Sequence, residues 1–257
     1  MGEPYKQDRT VLVTGSAKRI GKAIAKGLAT DGWNVAVHYN RSGNEASRLV
    51  DEIQSLGVRA TAFQCDLADC TAVSGLIAEC AGRLGPLTCL VNNASLFEFD
   101  DPVTFDPATW DKHAAINLRA PLLLAREFAA QVPSPTVGCV VNMLDQKVFN
   151  LNPDFLSYTL TRVAMEGATR MLAMSLAPRV RVCGVAPGIT LVSGAQTQEG
   201  FERAHAQAPL GHSSDAEDVV QAVRYVVGAK SVTGHTMVVD GGQHLWPRKR
   251  DVQFEVK

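Results

Sequence analysis

Two glycines, Gly15 and Gly21, follow a short apolar run and open a helical pattern. Glycine lets the backbone approach a pyrophosphate closely, and a helix N-terminus offers unpaired N–H groups and a positive dipole end. The segment therefore predicts dinucleotide binding by five residues of one turn, Gly15, Lys18, Arg19, Ile20 and Gly21. Arg19 stands where G-x-G-x-x-G would have its middle glycine, so a strand-to-helix turn without a ligand stays open as the alternative.

The end of the next apolar run carries no carboxylate. A carboxylate there would bind a ribose 2′-hydroxyl and repel a 2′-phosphate. The residues present are His38, Tyr39, Asn40, Arg41 and Ser42. Together with Lys18 and Arg19 they predict a cationic pocket for a phosphate dianion, which Arg binds bidentately. This favours NADP(H) over NAD(H), and the alternative is a plain polar loop at Arg41 and Ser42.

Polar or small residues also follow two later apolar runs. Asp66, which precedes Leu67, could accept a hydrogen bond from an adenine amino group or cap the next helix. Asn93, Ala94 and Ser95 are placed either to line a ligand crevice at a strand end or to form an Asx turn.

The elements that position these residues alternate along the whole chain. Apolar runs predict strands near residues 9–14, 34–39, 58–64, 87–92, 137–143, 180–186 and 235–240. Helical patterns fall near 20–30, 44–55, 70–83, 107–131, 155–176 and 215–228. Continuous apolar strands are typical of a sheet covered on both faces. We therefore predict a single-domain α/β protein of the Rossmann type, with a doubly wound, parallel, seven-stranded sheet, over residues 1–257, with 1–8 and 244–257 as tails.

Composition narrows the classes of function. The chain has 257 residues and a formal net charge of −1, which argues against a nucleic-acid or membrane-binding surface. No apolar stretch approaches the roughly 20 residues of a membrane span. The six cysteines form no C-x-x-C pair and lack metal-ligand spacing with histidine, so no metal site is predicted. A reduced, cytoplasmic setting fits these features.

Several motifs along the chain resemble the short-chain dehydrogenase/reductase family. They are Thr14-Gly15-x-x-x-Arg19-Ile20-Gly21, Asn92-Asn93-Ala94, Asn117, Tyr158, Pro187-Gly188 and Val239-Asp240-Gly241-Gly242. The resemblance extends from about residue 9 to Gln243. Within the family the chain is similar to the pteridine reductases, because Arg19 replaces a glycine, Asn93 to Phe97 matches an Asn-Ala-Ser-x-Phe segment, and Asp145 replaces a serine.

The resemblance implies hydride transfer from NADPH with Tyr158 as the proton donor. The usual pKa of tyrosine, near 10, requires a nearby cation for acid–base work at neutral pH. In the family a lysine four residues later supplies that cation and binds the nicotinamide ribose. This chain has Arg162 at that position, which keeps the charge and changes the shape.

The resemblance also implies a pterin site. A carboxylate at Asp145 matches the paired N–H donors of a pterin and would assist Tyr158 in protonation. Phe97 would stack on the pterin, and Ser95 and Arg19 would add polar contacts. Asn117 would hold a water that links the site to solvent, and Pro187 and Gly188 would turn the chain across the nicotinamide.

Two further elements follow from these motifs. Pro121 should kink the helix that carries Asn117. Residues 189–212, which include Ser193-Gly194, should form an irregular lid over the substrate.

The leading hypothesis is NADPH-dependent reduction of dihydrobiopterin, dihydromonapterin or dihydrofolate to the tetrahydro form. The alternatives are a short-chain reductase of another carbonyl compound, and a catalytically weakened NADP(H)-binding protein in which Arg162 replaces the lysine. The resemblance further implies a homotetramer packed through the Asn117 and Tyr158 helices, with the segment from Gln243 to Arg248 reaching a neighbouring subunit.

Overall fold

The computed structural model describes residues 9–192 and 196–255, so the predicted tail 1–8 and Ser193-Gly194 lie outside the described residues. The strands, numbered in chain order, are β1 Thr10–Val13, β2 Asn34–Tyr39, β3 Ala60–Gln64, β4 Leu87–Asn92, β5 Gly138–Met143, β6 Val180–Pro187 and β7 Thr236–Val239. They form a single parallel sheet in the order β3-β2-β1-β4-β5-β6-β7. The predicted fold class is confirmed.

Helices cover both faces of this sheet. They are α1 Arg19–Thr30, α2 Gly43–Gln54, α3 Cys70–Leu84, α4 Pro107–His113, α5 Ala120–Gln131, α6 Leu156–Leu176, α7 Gln198–Ala206, α8 Ala216–Gly228 and α9 Val252–Glu255. A π-helical segment, Ala114–Arg119, joins α4 to α5, and 3-10 turns lie at Gln146–Phe149 and Gln243–Leu245. None of the described helices is long and apolar enough to cross a membrane.

Successive side chains of a strand point to opposite faces of the sheet, so the core has one layer on each face. Val11 and Val13 pack in one cluster with α1, α2 and α8, whereas Leu12 packs in the other with α3 and α5. Residues on both faces of β1 are fully buried, which explains why the strand is a continuous apolar run. Burial of this kind contributes about 25 cal/mol per Å² of apolar surface and fixes the register of the sheet.

The sheet reverses its winding direction at β1. Val13 at the end of β1 pairs with Val37 on one side and with Val91 on the other. The loops that follow these three strands therefore leave the sheet at the same edge. In open α/β sheets a ligand crevice lies at such a switch point.

The predicted helix over 107–131 is interrupted. Its middle is the π-helical segment, in which the N–H of Ala120 donates to the carbonyl of Ala115. Pro121 has no N–H to continue the ordinary i→i−4 pattern. The irregularity expected at Pro121 therefore lies in the turn that precedes it, and it carries Asn117.

Two segments have more regular structure than their sequences indicated. The expected irregular lid contains α7, whose first turn is capped by the Thr197 hydroxyl accepting from the Gly200 N–H. The expected C-terminal tail contains α9, and its described part packs on this chain: Asn150 Nδ2 donates to the Trp246 carbonyl across 2.9 Å. Residues 244–255 of the predicted tail thus include a short helix and contacts with the rest of this chain.

Candidate active site

The glycine turn after β1 is held against the turn after β4. Gly15 has φ +63°, and a Cβ on it would lie 3.0 Å from Ala94 Cα. A Cβ on Gly21 would lie 2.5 Å from Asn93 Nδ2. The Thr14 hydroxyl accepts from the N–H groups of Asn93 and Ala94. Only glycine fits these two positions, so the sequence dictates a tight turn that leaves backbone exposed to a ligand.

The N-terminus of α1 is open at this turn. Its first turn contains no acidic residue, and the capping position, Lys18, makes no side-chain cap. The helix therefore presents unpaired N–H groups and a positive dipole end toward the turn. Arg19 has φ +55° there, and its Nη1 donates to the Val192 carbonyl across 2.8 Å. The residue in place of the middle glycine thus links the turn to the predicted lid.

A cavity of about 400 Å³ lies over this helix end. The cofactor-binding residues predicted from sequence that line it are Gly15, Lys18, Arg19, Ile20, Gly21, His38, Asn40, Asp66, Leu67, Asn93 and Ala94. Ser95, Leu96 and Ile116 complete the wall of this cavity. Tyr39, Arg41, Ser42 and Pro187 are not among its lining residues in the described part of the chain.

His38 does not supply the cationic contact predicted for it. Its side chain is 2 % exposed, Nδ1 accepts from the Gly15 N–H at 2.9 Å, and Nε2 donates to the Cys65 carbonyl at 3.1 Å. Burial lowers the pKa of His38 to about 4, so the ring is neutral at pH 7. His38 therefore adds no charge to the predicted cationic pocket and holds the glycine turn by a hydrogen bond, while its contact with the cofactor stays a prediction.

The remaining cations of this region differ in their surroundings. Lys18 Nζ lies 2.8 Å from Glu45 Oε1 in an exposed ion pair, which contributes little to stability and exchanges readily. Arg41 is exposed at the start of the loop after β2. Lys18 and Arg19 line the first cavity, whereas Arg41 follows its lining residue Asn40 directly in sequence.

Asp66 does not cap the helix that follows it. The N-cap of α3 is Asp69, which accepts from the N–H groups of Thr71 and Ala72. Asp66 Oδ1 instead accepts from the Ala68 N–H at 3.0 Å in an Asx turn, and the residue lines the cavity. The cap alternative is excluded.

A second cavity of about 530 Å³ continues from the first and shares Arg19, Ile20 and Ser95 with it. All substrate-binding residues predicted from sequence line this cavity, namely Arg19, Ser95, Phe97, Asp145 and Tyr158. Gly188 lies in the same wall with Ile189 to Leu191 of the predicted lid. The two cavities form one cleft, with the phosphate turn at one end and the Tyr158 side chain at the other.

Tyr158 and Asp145 form a direct hydrogen bond in this second cavity. The Tyr158 hydroxyl donates to Asp145 Oδ2 across 2.7 Å, and Asp145 Oδ1 accepts from the Lys147 N–H at 2.8 Å. Burial raises the pKa of Asp145. Burial and the Asp145 charge raise the pKa of Tyr158, and together they outweigh the lowering effect of Arg162. At neutral pH the pair holds a proton at the cavity wall.

Arg162 lies behind Tyr158 and is 4 % exposed, so it is not a solvated helix residue. Its Nη1 donates to the Met143 carbonyl across 3.0 Å, and its guanidinium carbon lies 5.1 Å from the centre of the Tyr158 ring. Arg162 Nε is buried and has no hydrogen-bond partner among the described residues. Arg162 is not a lining residue of either described cavity, and it faces the site through Tyr158.

Phe97 forms one apolar wall of the second cavity. Its ring stacks on Phe155 at a centroid distance of 4.2 Å and meets Tyr158 edge-on at 4.7 Å. Phe155 is buried with φ +56° at the start of α6, and sequence reasoning missed it. The aromatic cluster fixes the Phe97 ring beside the Tyr158 hydroxyl.

Asn117 positions the loop that carries these residues. It is fully buried in the π-helical segment, where Oδ1 accepts from the Leu96 N–H and Nδ2 donates to the Leu96 carbonyl. Nδ2 also lies 3.3 Å from Thr161 Oγ1 of α6. Asn117 thus holds the segment between Ser95 and Phe97 against α6, and the water predicted beside it stays a prediction.

Comparison with known proteins decides the family. The family model for short chain dehydrogenases matches residues 9–203 of this chain. The chain belongs to the short-chain dehydrogenase family. A curated relative, the 3-oxoacyl-[acyl-carrier-protein] reductase FabG of Staphylococcus aureus, is 31% identical over 245 residues, which cover 93% of this chain and 100% of the relative.

Solved members of the family superpose closely on this chain. The FolM alternative dihydrofolate reductase 1 of Brucella canis, solved with NADP, is 44% identical with a TM-score of 0.90, over 95% of this chain and 96% of that one. The Brucella suis protein of the same description gives the same identity and TM-score, over 95% and 98%. A blue fluorescent protein from a metagenomic library, solved with NADPH, is 30% identical with a TM-score of 0.85, over 91% and 97%.

This short-chain dehydrogenase has further site residues that the sequence analysis missed. Gln146, Lys147, Asp251 and Val252 line the second cavity with Asp145. The proximity of Gln146 and Lys147 to Asp145 in sequence was a usable signal. Asp251 lies 104 positions from Lys147, its ion-pair partner, and no local pattern points to it.

Proposed function

We propose that the protein reduces a dihydropterin or dihydrofolate to its tetrahydro form with NADPH. The observation that carries this proposal is the hydrogen bond from the Tyr158 hydroxyl to Asp145 Oδ2 at the cavity wall. A carboxylate beside the proton donor suits an N–H-bearing heterocycle, whose paired donors match its oxygens. The 44% identity to proteins described as alternative dihydrofolate reductases supports the same substrate class.

The residues of the first cavity fit NADP(H). The open N-terminus of α1 and the close backbone approach at Gly15 suit a pyrophosphate. Arg41, Ser42 and Lys18 would hold a 2′-phosphate, with Lys18 exchanging Glu45 for it. Arg162 Nε is buried without a partner among the described residues, and the Arg162 side chain would have to move toward the cleft to contact the nicotinamide ribose. Solved neighbours that contain NADP or NADPH support the NADPH prediction.

The first cavity would hold NADPH, which would supply the hydride for reduction of the substrate C=N bond at its carbon. Phe97 holds the flat substrate ring in the slot, and Asp145 accepts from its N–H and amino groups. Tyr158 keeps its proton at neutral pH because burial and Asp145 raise its pKa. Tyr158 and Asp145 deliver that proton to the substrate nitrogen, so one C–H and one N–H bond form across the former double bond.

Arg162 supports this role of Tyr158. Its cation lies under the Tyr158 ring and stabilises any negative charge that develops on the phenolic oxygen as the proton leaves. The charge that the family's lysine would provide is therefore present. This favours an active enzyme over a protein that only binds NADP(H).

The second candidate is reduction of a carbonyl compound, as in the FabG relatives. A ketone develops an alkoxide in the transition state, and a carboxylate at Asp145 repels it unless Asp145 is protonated. Asp145 therefore favours the pterin over the ketone.

We further propose a homotetramer that packs through α6. Met171 and Met174 on this helix are 68% and 76% exposed, and Leu160 and Val163 add apolar surface. Contiguous exposed apolar residues of this kind mark protein contacts. A solution mass of four times the 27.6 kDa chain is expected, and a monomer mass would contradict it.

The function is tested by a screen for NADPH oxidation with dihydrobiopterin, dihydromonapterin, dihydrofolate and a panel of ketones. We expect turnover with at least one dihydropterin. Turnover restricted to ketones would overturn the proposal.

A further inference from the structure

The segment at residues 248–254, which we name the C-terminal strap, contributes two residues to the wall of the second cavity. Asp251 and Val252 of the strap line the same cavity as Asp145 and Tyr158. Val252 is buried against that wall. The chain therefore brings its own C-terminal residues to the substrate side of the cleft.

The strap is anchored at one buried carboxylate. Arg250 Nε donates to both oxygens of Asp154, at 2.9 and 2.8 Å, and the Asp251 N–H donates to Asp154 Oδ2 at 2.7 Å. The Asp154 side chain is almost fully buried. A forked arginine–carboxylate contact with one buried partner is strong and holds a single geometry.

Two further contacts extend the strap over the lid and the aromatic cluster. Arg248 Nη1 donates to Gln207 Oε1 at 2.8 Å, just after α7. The Phe254 ring lies 5.3 Å from Phe99 and 5.9 Å from Phe155, which backs Phe97. The strap thus joins the lid helix to the ring that supports the substrate slot.

Asp251 is linked to Asp145 through one residue. Lys147 is 2 % exposed, and its Nζ donates to Asp251 Oδ2 at 3.0 Å. The N–H of the same lysine donates to Asp145 Oδ1. Removing the Asp251 charge leaves the buried Lys147 ammonium without its charged partner and so weakens the contact between the strap and this cavity wall.

We propose that the strap is the fourth wall of the substrate site, and that Asp251, held by Lys147, is a specificity-determining residue for a compact heterocycle bearing N–H donors. This inference rests on the proposed function for the identity of that heterocycle. A closed wall with a carboxylate accepts hydrogen bonds from a small polar ring and blocks a long acyl chain. Such a wall would give this chain a substrate preference different from that of a reductase that acts on carrier-bound acyl groups.

The test compares the full-length parent with Asp251→Asn, Phe254→Ala and the control Asp31→Asn. Asp31 forms an exposed ion pair with Arg224 at the end of α1, far from the strap. We expect Asp251→Asn to raise KM for dihydrofolate about tenfold with little change in kcat, since a charge-assisted contact is lost. Phe254→Ala should raise KM for dihydrofolate and increase relative activity on a bulky ketone. The control should match the parent.

A second readout follows hydrogen exchange of the strap. Dihydrofolate added with NADP⁺ should slow exchange of the amides at 248–254 beyond the effect of NADP⁺ alone, in the parent but not in Phe254→Ala. Parent-like KM values in both strap variants, with no added protection, would overturn the inference. If the parent reduces ketones and no dihydropterin, the proposed function has failed, and the same KM comparison with that ketone tests the strap separately.

Discussion

The hydroxyl of Tyr158 donates to Asp145 Oδ2 across 2.7 Å, and both side chains line the cavity that Phe97 borders. In the proposed reaction, the proton donor thus shares its hydrogen bond with a carboxylate in the wall of the substrate cavity. The carboxylate at Asp145 is buried and accepts from both the Tyr158 hydroxyl and the Lys147 N–H. The hydrogen bond also ties Tyr158 and Asp145 into one functional pair.

Removing the phenolic hydroxyl should abolish turnover without affecting the fold. For Tyr158→Phe we expect kcat to fall by about 10²–10⁴, the range for loss of a positioned proton donor. NADPH affinity should stay at the parent level because the ring and its contact with Arg162 remain. Stopped-flow NADPH oxidation and fluorescence titration measure the two quantities. A variant with half the parent rate would remove Tyr158 from the mechanism.

The cation behind Tyr158 should matter more than its shape. Arg162→Met removes the charge and leaves the Met143 carbonyl without its donor, so kcat should fall about a hundredfold. Arg162→Lys keeps the charge and should stay within about tenfold of the parent. Steady-state kinetics of both variants decide this. A large increase in kcat for Arg162→Lys would instead identify the parent as an impaired enzyme.

Arg19 should act on ligand binding rather than on stability. Its φ of +55° is strained for a residue with a Cβ, so Arg19→Gly relieves about 1 kcal/mol of backbone cost that offsets the greater flexibility of glycine. The same change removes the contact with the Val192 carbonyl and a charge at the phosphate turn. We expect a nearly unchanged urea midpoint and a Kd for NADPH about tenfold higher. Arg19→Lys is the matched control, and equal Kd values in all three proteins would contradict the assignment.

His38 should make the fold sensitive to mild acid. Its pKa is 6.5 in the unfolded chain and about 4 in the folded protein, so the unfolded state binds the proton more tightly. The stabilising effect is complete above pH 6.5 and is lost as the pH falls toward 4, by about 2–3 kcal/mol. Urea unfolding of the parent and His38→Gln at pH 7.5 and 4.5 isolates this contribution. The difference between the two proteins should shrink at pH 4.5, and an unchanged difference would contradict it.

The sheet could be predicted from the sequence because each strand is marked by residues that are neighbours in the chain. Each strand is an apolar run next to a helical pattern, and the turn glycines Gly15 and Gly21 have no alternative that fits their close contacts. The order of motifs then places the strand ends at one edge. The meeting of Asp145, Tyr158 and Phe97 in one cavity was instead implied by the resemblance to the pteridine reductases, and the structure places all three in the wall of one cavity.

The features that were missed depend on distant contacts. The strap is held by pairs such as Lys147 with Asp251 and Arg250 with Asp154, which are about a hundred residues apart in sequence. The neutral state of His38 follows from its burial between two backbone groups, which the residue type alone does not reveal. Motifs and family resemblance therefore indicated which residues line the site, whereas the protonation state of a residue such as His38 depends on its burial in the folded chain.

The most direct measurement compares the parent and Asp145→Ser in NADPH oxidation with dihydropterins and with ketones, alongside NADPH affinity. We expect the parent to reduce a dihydropterin. The rate of dihydropterin reduction by Asp145→Ser should be about 10²–10³-fold lower than that of the parent. The variant should keep its affinity for NADPH and gain activity on ketones. A parent that reduces only ketones, or an Asp145→Ser variant with undiminished dihydropterin turnover, would contradict it.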